Sequence, residues 1–93
     1  MIHSARVANS YRGEWEVYVV TDSPSPREWP EHSFARTAPA PTLAERTAAL
    51  TTLGYEVVDG ATWEWHELDD DVTDPVRFLG MIDVRRIAAG DDR

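Results

Sequence analysis

Five of the six prolines in this 93-residue chain fall in one stretch: Pro24, Pro26, Pro30, Pro39 and Pro41. Interior proline breaks a helix and cannot donate to a central strand ladder. Segment 22–41 therefore divides the chain and can hold no long regular element. It nevertheless carries Trp29, His32 and Phe34, which are poor residues for a free linker. We read it as an ordered excursion pinned by Trp29 and Phe34, with one helical turn near Pro26-Arg27-Glu28-Trp29. Most connections are much shorter, and long ordered loops often carry function.

The flanks read more simply. Segment 2–9 is a strand with Ala5 and Val7 on one face, and 10–13 is a turn. In 14–21, Trp15, Val17 and Val19 alternate with Glu14, Glu16 and Tyr18, the period of a half-buried strand. The two strands are expected to form a hairpin. After the prolines, Thr42-Leu43-Ala44-Glu45 is a capping box, in which threonine and glutamate each bond the other's backbone N–H. The spacing predicts a helix over 42–53, with Leu43, Thr47, Leu50 and Leu53 on one face. Gly54 ends it in a left-handed conformation, and Tyr55 folds back on Leu50.

A meander is expected next. Segment 55–58 is a short strand, Asp59-Gly60 a type I′ hairpin pair, and 61–68 the return strand. Trp63 and Trp65 share its inward face with Glu64 and His66 opposite. Segment 69–75 is an acidic loop. Segment 76–87 is a central last strand, since Leu79 and Met81 make its second face apolar too, and Gly80 marks a bulge or close packing. The tail 88–93 frays. The fold class is α+β: ββαβββ in a single domain (1–93), one helix on a mostly antiparallel sheet of four to five strands.

The chain has no cysteine, so neither disulfides nor cysteine-bound zinc supplement a small core. Four tryptophans supply much of the burial, each able to cover roughly 150–250 Å². Trp15, Trp63 and Trp65 are expected in the core. Trp29 is expected to close one edge of it, with an exposed anchor for a partner as the alternative.

Charge excludes several function classes. Seventeen acids face nine bases, for a net charge of −8, and every base is arginine. Arginine without lysine, beside abundant alanine, is the bias of a GC-rich genome. Acid excess opposes general nucleic-acid binding, which needs cations to displace counterions, and opposes docking on an anionic membrane. It suits a basic protein partner. The opening residues lack a signal-peptide pattern, and the apolar run 17–20 is too short to span a bilayer. A soluble cytoplasmic protein is expected.

Motifs for chemistry are few. Asp69, Asp70 and Asp71 offer oxygen ligands suited to calcium, but Asp74 and Gly80 stand where a calcium loop needs glycine and glutamate. A solvated loop is the plainer reading. Glu64 and His66 share a strand face, an arrangement open to acid–base or metal chemistry with Asp83 as a further ligand. Strand alternation alone also explains them. Without cysteine, lysine or a glycine-flanked serine elbow, nucleophilic catalysis and phosphate-loop chemistry have little support.

The segments Glu14-Trp15-Glu16-Val17-Tyr18-Val19-Val20, Trp29-Pro30-Glu31-His32-Ser33-Phe34, Pro41-Thr42-Leu43-Ala44-Glu45-Arg46, Leu53-Gly54-Tyr55 and Trp63-Glu64-Trp65 together resemble a group of small uncharacterised actinobacterial proteins. The resemblance spans residues 8–85. It implies a bacterial cytoplasmic protein and no particular activity or site residue.

These observations favour a small acidic, non-enzymatic protein-binding module: an adaptor, regulator or inhibitor with no cofactor and no bound metal. Its expected contacts are Arg27, Trp29, His32 and Phe34, with Asp69, Asp70 and Asp71 as a second patch. Three alternatives remain: an acidic nucleic-acid mimic from a mobile element that blocks a DNA-binding enzyme, a small metal-dependent enzyme using Glu64 and His66, and a homodimer formed through an exposed edge of the first strand.

Overall fold

The computed structural model describes residues 2–11, 13–68 and 77–87. One helix packs on one six-stranded antiparallel sheet. The strands are β1 (Ile2–Tyr11), β2 (Glu14–Val20), β3 (Glu31–Ser33), β4 (Tyr55–Val57), β5 (Glu64–Leu68) and β6 (Arg77–Arg86), and the helix is α1 (Leu43–Leu53). The spatial order is β3-β2-β1-β6-β4, with β5 also on β6. The α+β class stands. The proline-rich segment adds β3 to the expected elements, and its 3₁₀ turn, Pro26–Glu28, falls where one helical turn was expected.

Alternation divides the sheet into two faces. Ala5 and Val7 of β1, Trp15, Val17 and Val19 of β2, and Ile82 and Val84 of β6 point inward. They form one buried cluster with Ala49, Leu50 and Tyr55. Among the described residues, no α-helix lies on the outer face. On it stand Glu16 and Tyr18 of β2, Glu31 of β3, Met81 of β6 and Glu64 of β5, as the strand register requires.

Strand β1 is interior. Ala5 lies opposite Val19 on one side and Ile82 on the other. It therefore has no free edge through which a second copy could add, contrary to the sequence expectation. Strands β3, β4 and β5 form the sheet's edges.

The expected hairpin at Asp59-Gly60 is also corrected. Strands β4 and β5 do not pair with each other. Both run antiparallel to β6 and lie end to end along it, with Val57 opposite Val84 and Glu64 opposite Met81. Between them, 58–63 makes an excursion opposite only Ile82 and Asp83. The turn is closed by Ala61 N–H donating to Val58 C=O at 3.0 Å. Gly60 has φ +83°, whereas Asp59 is not left-handed. A type I′ turn needs both central residues left-handed, so this turn follows type II geometry.

The proline-rich segment is held by backbone bonds to β2. Val19 N–H donates to Pro30 C=O (3.0 Å), Phe34 N–H to Trp15 C=O (2.9 Å) and Trp15 N–H to Arg36 C=O (2.9 Å). The Trp15 indole N–H donates to Thr37 C=O at 3.1 Å. That bond satisfies the one polar atom of a side chain only 5% exposed. Phe34 packs against the core, as expected for a residue anchoring the loop.

Helix α1 begins with both halves of the capping box. The Thr42 hydroxyl accepts from Glu45 N–H at 3.1 Å, and Glu45 accepts from Thr42 N–H at 2.9 Å. Glu45 also takes a two-point bond from Arg36 at 2.6 and 3.0 Å. Gly54 ends the helix at φ +93°, and its N–H donates to Leu50 and Thr51 carbonyls.

The helix is turned relative to the expected face. Ala49 and Leu50 are buried and Leu53 half-buried, whereas Thr47 is exposed and Leu43 is 60% exposed. The flank with Leu43, Thr47 and Leu50 faces 55–63 across a groove. Along that flank Trp63 packs on the core only partly, and Trp65 is 43% exposed. The expectation that Trp65 is core fails because α1 does not reach over β5. Its ring lies instead on Gly80, where an added Cβ would come within 2.9–3.0 Å of three ring carbons. Close packing, with no bulge, is thus the reason for glycine at position 80.

Candidate functional site

A cleft lies on the outer face. It begins with local bonding in the proline-rich segment. The Ser23 hydroxyl donates to the Glu28 carboxylate. Glu28 N–H donates to Ser25 C=O at 3.0 Å and Trp29 N–H to Pro26 C=O at 3.1 Å. Proline at the first position of this turn suits its fixed φ. The turn delivers the Trp29 ring onto Tyr18, nearly parallel, with interplanar angle 7° and centroids 6.1 Å apart. The indole N–H donates to Ser23 C=O at 3.2 Å, so the ring's position is fixed at both ends.

Glu16, Tyr18, Pro26, Trp29 and Glu31 line a shallow cleft of about 220 Å³ beside this stack. Tyr18 lies opposite Glu31, and Glu16 opposite Ser33, so the two carboxyls are diagonal neighbours on adjacent strands. Partial burial, then repulsion from Glu31, pushes the Glu16 carboxyl above its ordinary value. Neither carboxylate has an ion-pair partner among the described residues. Arg6 faces Tyr18 from β1 on the side away from β3. An aromatic ring pair beside two unneutralised carboxylates is an arrangement that attracts a guanidinium or ammonium group.

The structure separates the four loop residues expected to act together. Trp29 is half-buried on the outer face, neither in the core nor fully exposed. Arg27 is exposed in the turn before it. His32 lies opposite Val17 and so belongs to the inner side. There it meets Phe34 edge-on, with centroids 5.1 Å apart. Trp29 therefore shares its surface with Glu16, Tyr18 and Glu31, not with His32 and Phe34. Strand alternation already placed Glu16 and Tyr18 together. What it could not supply was the side of the sheet to which Trp29 folds.

The second expected patch, Asp69, Asp70 and Asp71, lies outside the described residues. Glu64 and His66 do share the outer face of β5, with His66 Nε2 and a Glu64 oxygen 3.8 Å apart and both side chains largely exposed. Among the described residues, no group of three or more His, Asp or Glu is placed to hold a metal ion. No helix among them is long and apolar enough to cross a membrane.

Residues 1–91 match the model of a family of unknown function, DUF6303. The chain belongs to that family, in keeping with its resemblance to uncharacterised proteins. No curated protein and no solved structure matches it.

Proposed function

For this member of a family without an established activity, we propose a small acidic, non-enzymatic protein-binding module. Its working surface is the outer-face cleft, and its ligand is a basic side chain of a partner protein. The observation that carries the reading is the Tyr18–Trp29 stack beside Glu16 and Glu31. A partner arginine laid on the rings would contact π-faces and carboxylates at once, and would relieve the repulsion between the two acids. The net charge of −8 would steer such a partner toward the molecule. The arginine-only base set supports a bacterial host, and we place the protein in the cytoplasm.

Affinity purification from the host with wild type, Trp29→Ala and Glu16→Gln/Glu31→Gln tests the reading. The expected result is a basic partner, retained by wild type at low salt, released as salt rises and lost from both variants. A folded Trp29→Ala protein that keeps every partner of the wild type would exclude the cleft as the contact. Retention of a DNA-binding enzyme, competed by duplex DNA and indifferent to Trp29, would favour a nucleic-acid mimic instead.

A further inference from the structure

The second feature lies on the opposite face of the sheet and is independent of that reading. On that face one flank of α1, with Leu43, Thr47 and Leu50, faces the 55–63 segment across a gap. The gap is a groove of about 480 Å³, the size of sites that take small molecules. Leu43, Leu50, Val57, Ala61, Trp63 and Ile82 provide most of its wall.

One cation stands at this groove. The Arg46 guanidinium lies over Trp63 at 4.9 Å and Trp65 at 5.3 Å from the ring centroids. One terminal nitrogen donates to Pro41 C=O at 2.8 Å. Its Nε is buried without a partner, as is the neighbouring Trp63 Nε1. Arg36 and Arg85 are matched by Glu45 and Glu56, but Arg46 has no carboxylate partner among the described residues. Burial works against its charged form. A half-buried arginine without a counter-ion, in a chain with nearly twice as many acids as bases, is a place where an anion is missing.

We propose that this groove binds a small amphiphilic carboxylate, with the carboxylate on Arg46 and an aliphatic body along Leu43, Leu50 and Val57. One cation among the groove's lining residues matches a monoanion; a phosphate dianion would need a second. The planar guanidinium, already held by Pro41 and the two indoles, is pre-organised to offer its remaining N–H groups. The apolar walls gain by covering the exposed Leu43.

Sodium decanoate below its micelle concentration is the probe, with decan-1-ol and decyltrimethylammonium as controls. The four tryptophans give four indole N–H signals in a ¹⁵N-labelled sample. Decanoate is expected to move the Trp63 and Trp65 signals in a saturable way and leave Trp15 and Trp29 in place. Calorimetry is expected to show decanoate bound more tightly than either control. Arg46→Met should weaken decanoate at least about tenfold and leave decanol unchanged. Thr47→Trp, at an exposed position on the groove wall, should fill the space and abolish binding of both. Trp29→Ala should bind decanoate as wild type does, which separates this site from the outer cleft. The proposal fails if decanoate binds no better than decanol, or if a folded Arg46→Met protein binds it undiminished. If Arg46→Met does not fold, binding retained by Thr47→Trp overturns the proposal by itself.

Discussion

Two of the stacked aromatic pairs in the molecule lie on opposite faces of a single sheet. Trp63 and Trp65 on the inner side have centroids 6.1 Å apart, and Tyr18 and Trp29 on the outer side have the same separation. Their charged neighbours differ in sign. The inner pair carries Arg46 above it and opens onto an apolar groove. The outer pair is flanked by Glu16 and Glu31 and opens to solvent. Similar ring surfaces thus make a site for an anion in one case and for a cation in the other. The side chains beside the rings, and not the rings themselves, decide which.

Removing the floor beneath the inner pair should have the largest effect. Leu50 is 1% exposed and lies beneath the groove. Leu50→Ala should lower stability by about 2–5 kcal/mol in chemical denaturation, while the Trp29 indole signal stays native in the folded fraction. A loss below ~1 kcal/mol would show that the groove already relaxes around Leu50.

Gly80→Ala is a narrower probe. The new methyl would meet the Trp65 ring at 2.9–3.0 Å, so ring or strand must shift. A cost of about 1–3 kcal/mol is expected. The Trp65 signal should move strongly, Trp63 less, and Trp29 not at all. If Trp29 responds as well, the two pairs are coupled through the sheet and are not separate devices.

Acid should test what joins the two regions. Arg36 follows the outer pair's loop in sequence and clasps Glu45 at the start of α1, which carries Arg46. The Arg36 bonds, aided by Thr42 N–H, hold the Glu45 carboxyl down at about 2, against an ordinary 4.5. The folded value is depressed, so this clasp contributes fully above pH ~4.5. It fades as pH falls toward 2. The thermal midpoint should decline over that window, and Arg36→Ala should remove this component of the decline. An unchanged acid limb in Arg36→Ala would rule the clasp out.

The smallest effect is expected at Glu16. Its carboxyl is raised by partial burial and by Glu31, so the ionised form is the disfavoured one in the folded state. Glu16→Gln should slightly raise the thermal midpoint at neutral pH, and the gain should vanish where Glu16 is protonated. A lower midpoint at neutral pH would mean that Glu16 has a favourable partner after all.

What the sequence made legible follows the range of the interactions involved. Helix α1 was readable because its signals are local: Thr42, Glu45 and Gly54 act on backbone within one turn. The β1–β2 hairpin was readable because alternation survives in both strands. Residues 55–68 misled, because Asp59-Gly60 offers a local hairpin while β4 and β5 each bond to β6, distant in sequence. The same competition misplaced Trp65, whose inward orientation was correct but whose cover depended on where α1 ends up. Leu43 followed the helical period, yet α1 buries Ala49 and Leu50 and leaves Leu43 exposed. For Trp29, the residue type suggested a role, and only the 3₁₀ turn revealed which face it reaches.

The ladder between β1 and β6 has a consequence for how the chain matures. Ala5 must find Ile82, and Val7 must find Gly80, so a strand made early waits for one made much later. Until β6 leaves the ribosome, β1 can pair only with β2, and its other side stays without its strand partner. Ala5 and Val7 lack their β6 neighbours during that interval. Contacts of such long range also slow closure. The sheet therefore stays open along one side of β1 until β6 is made.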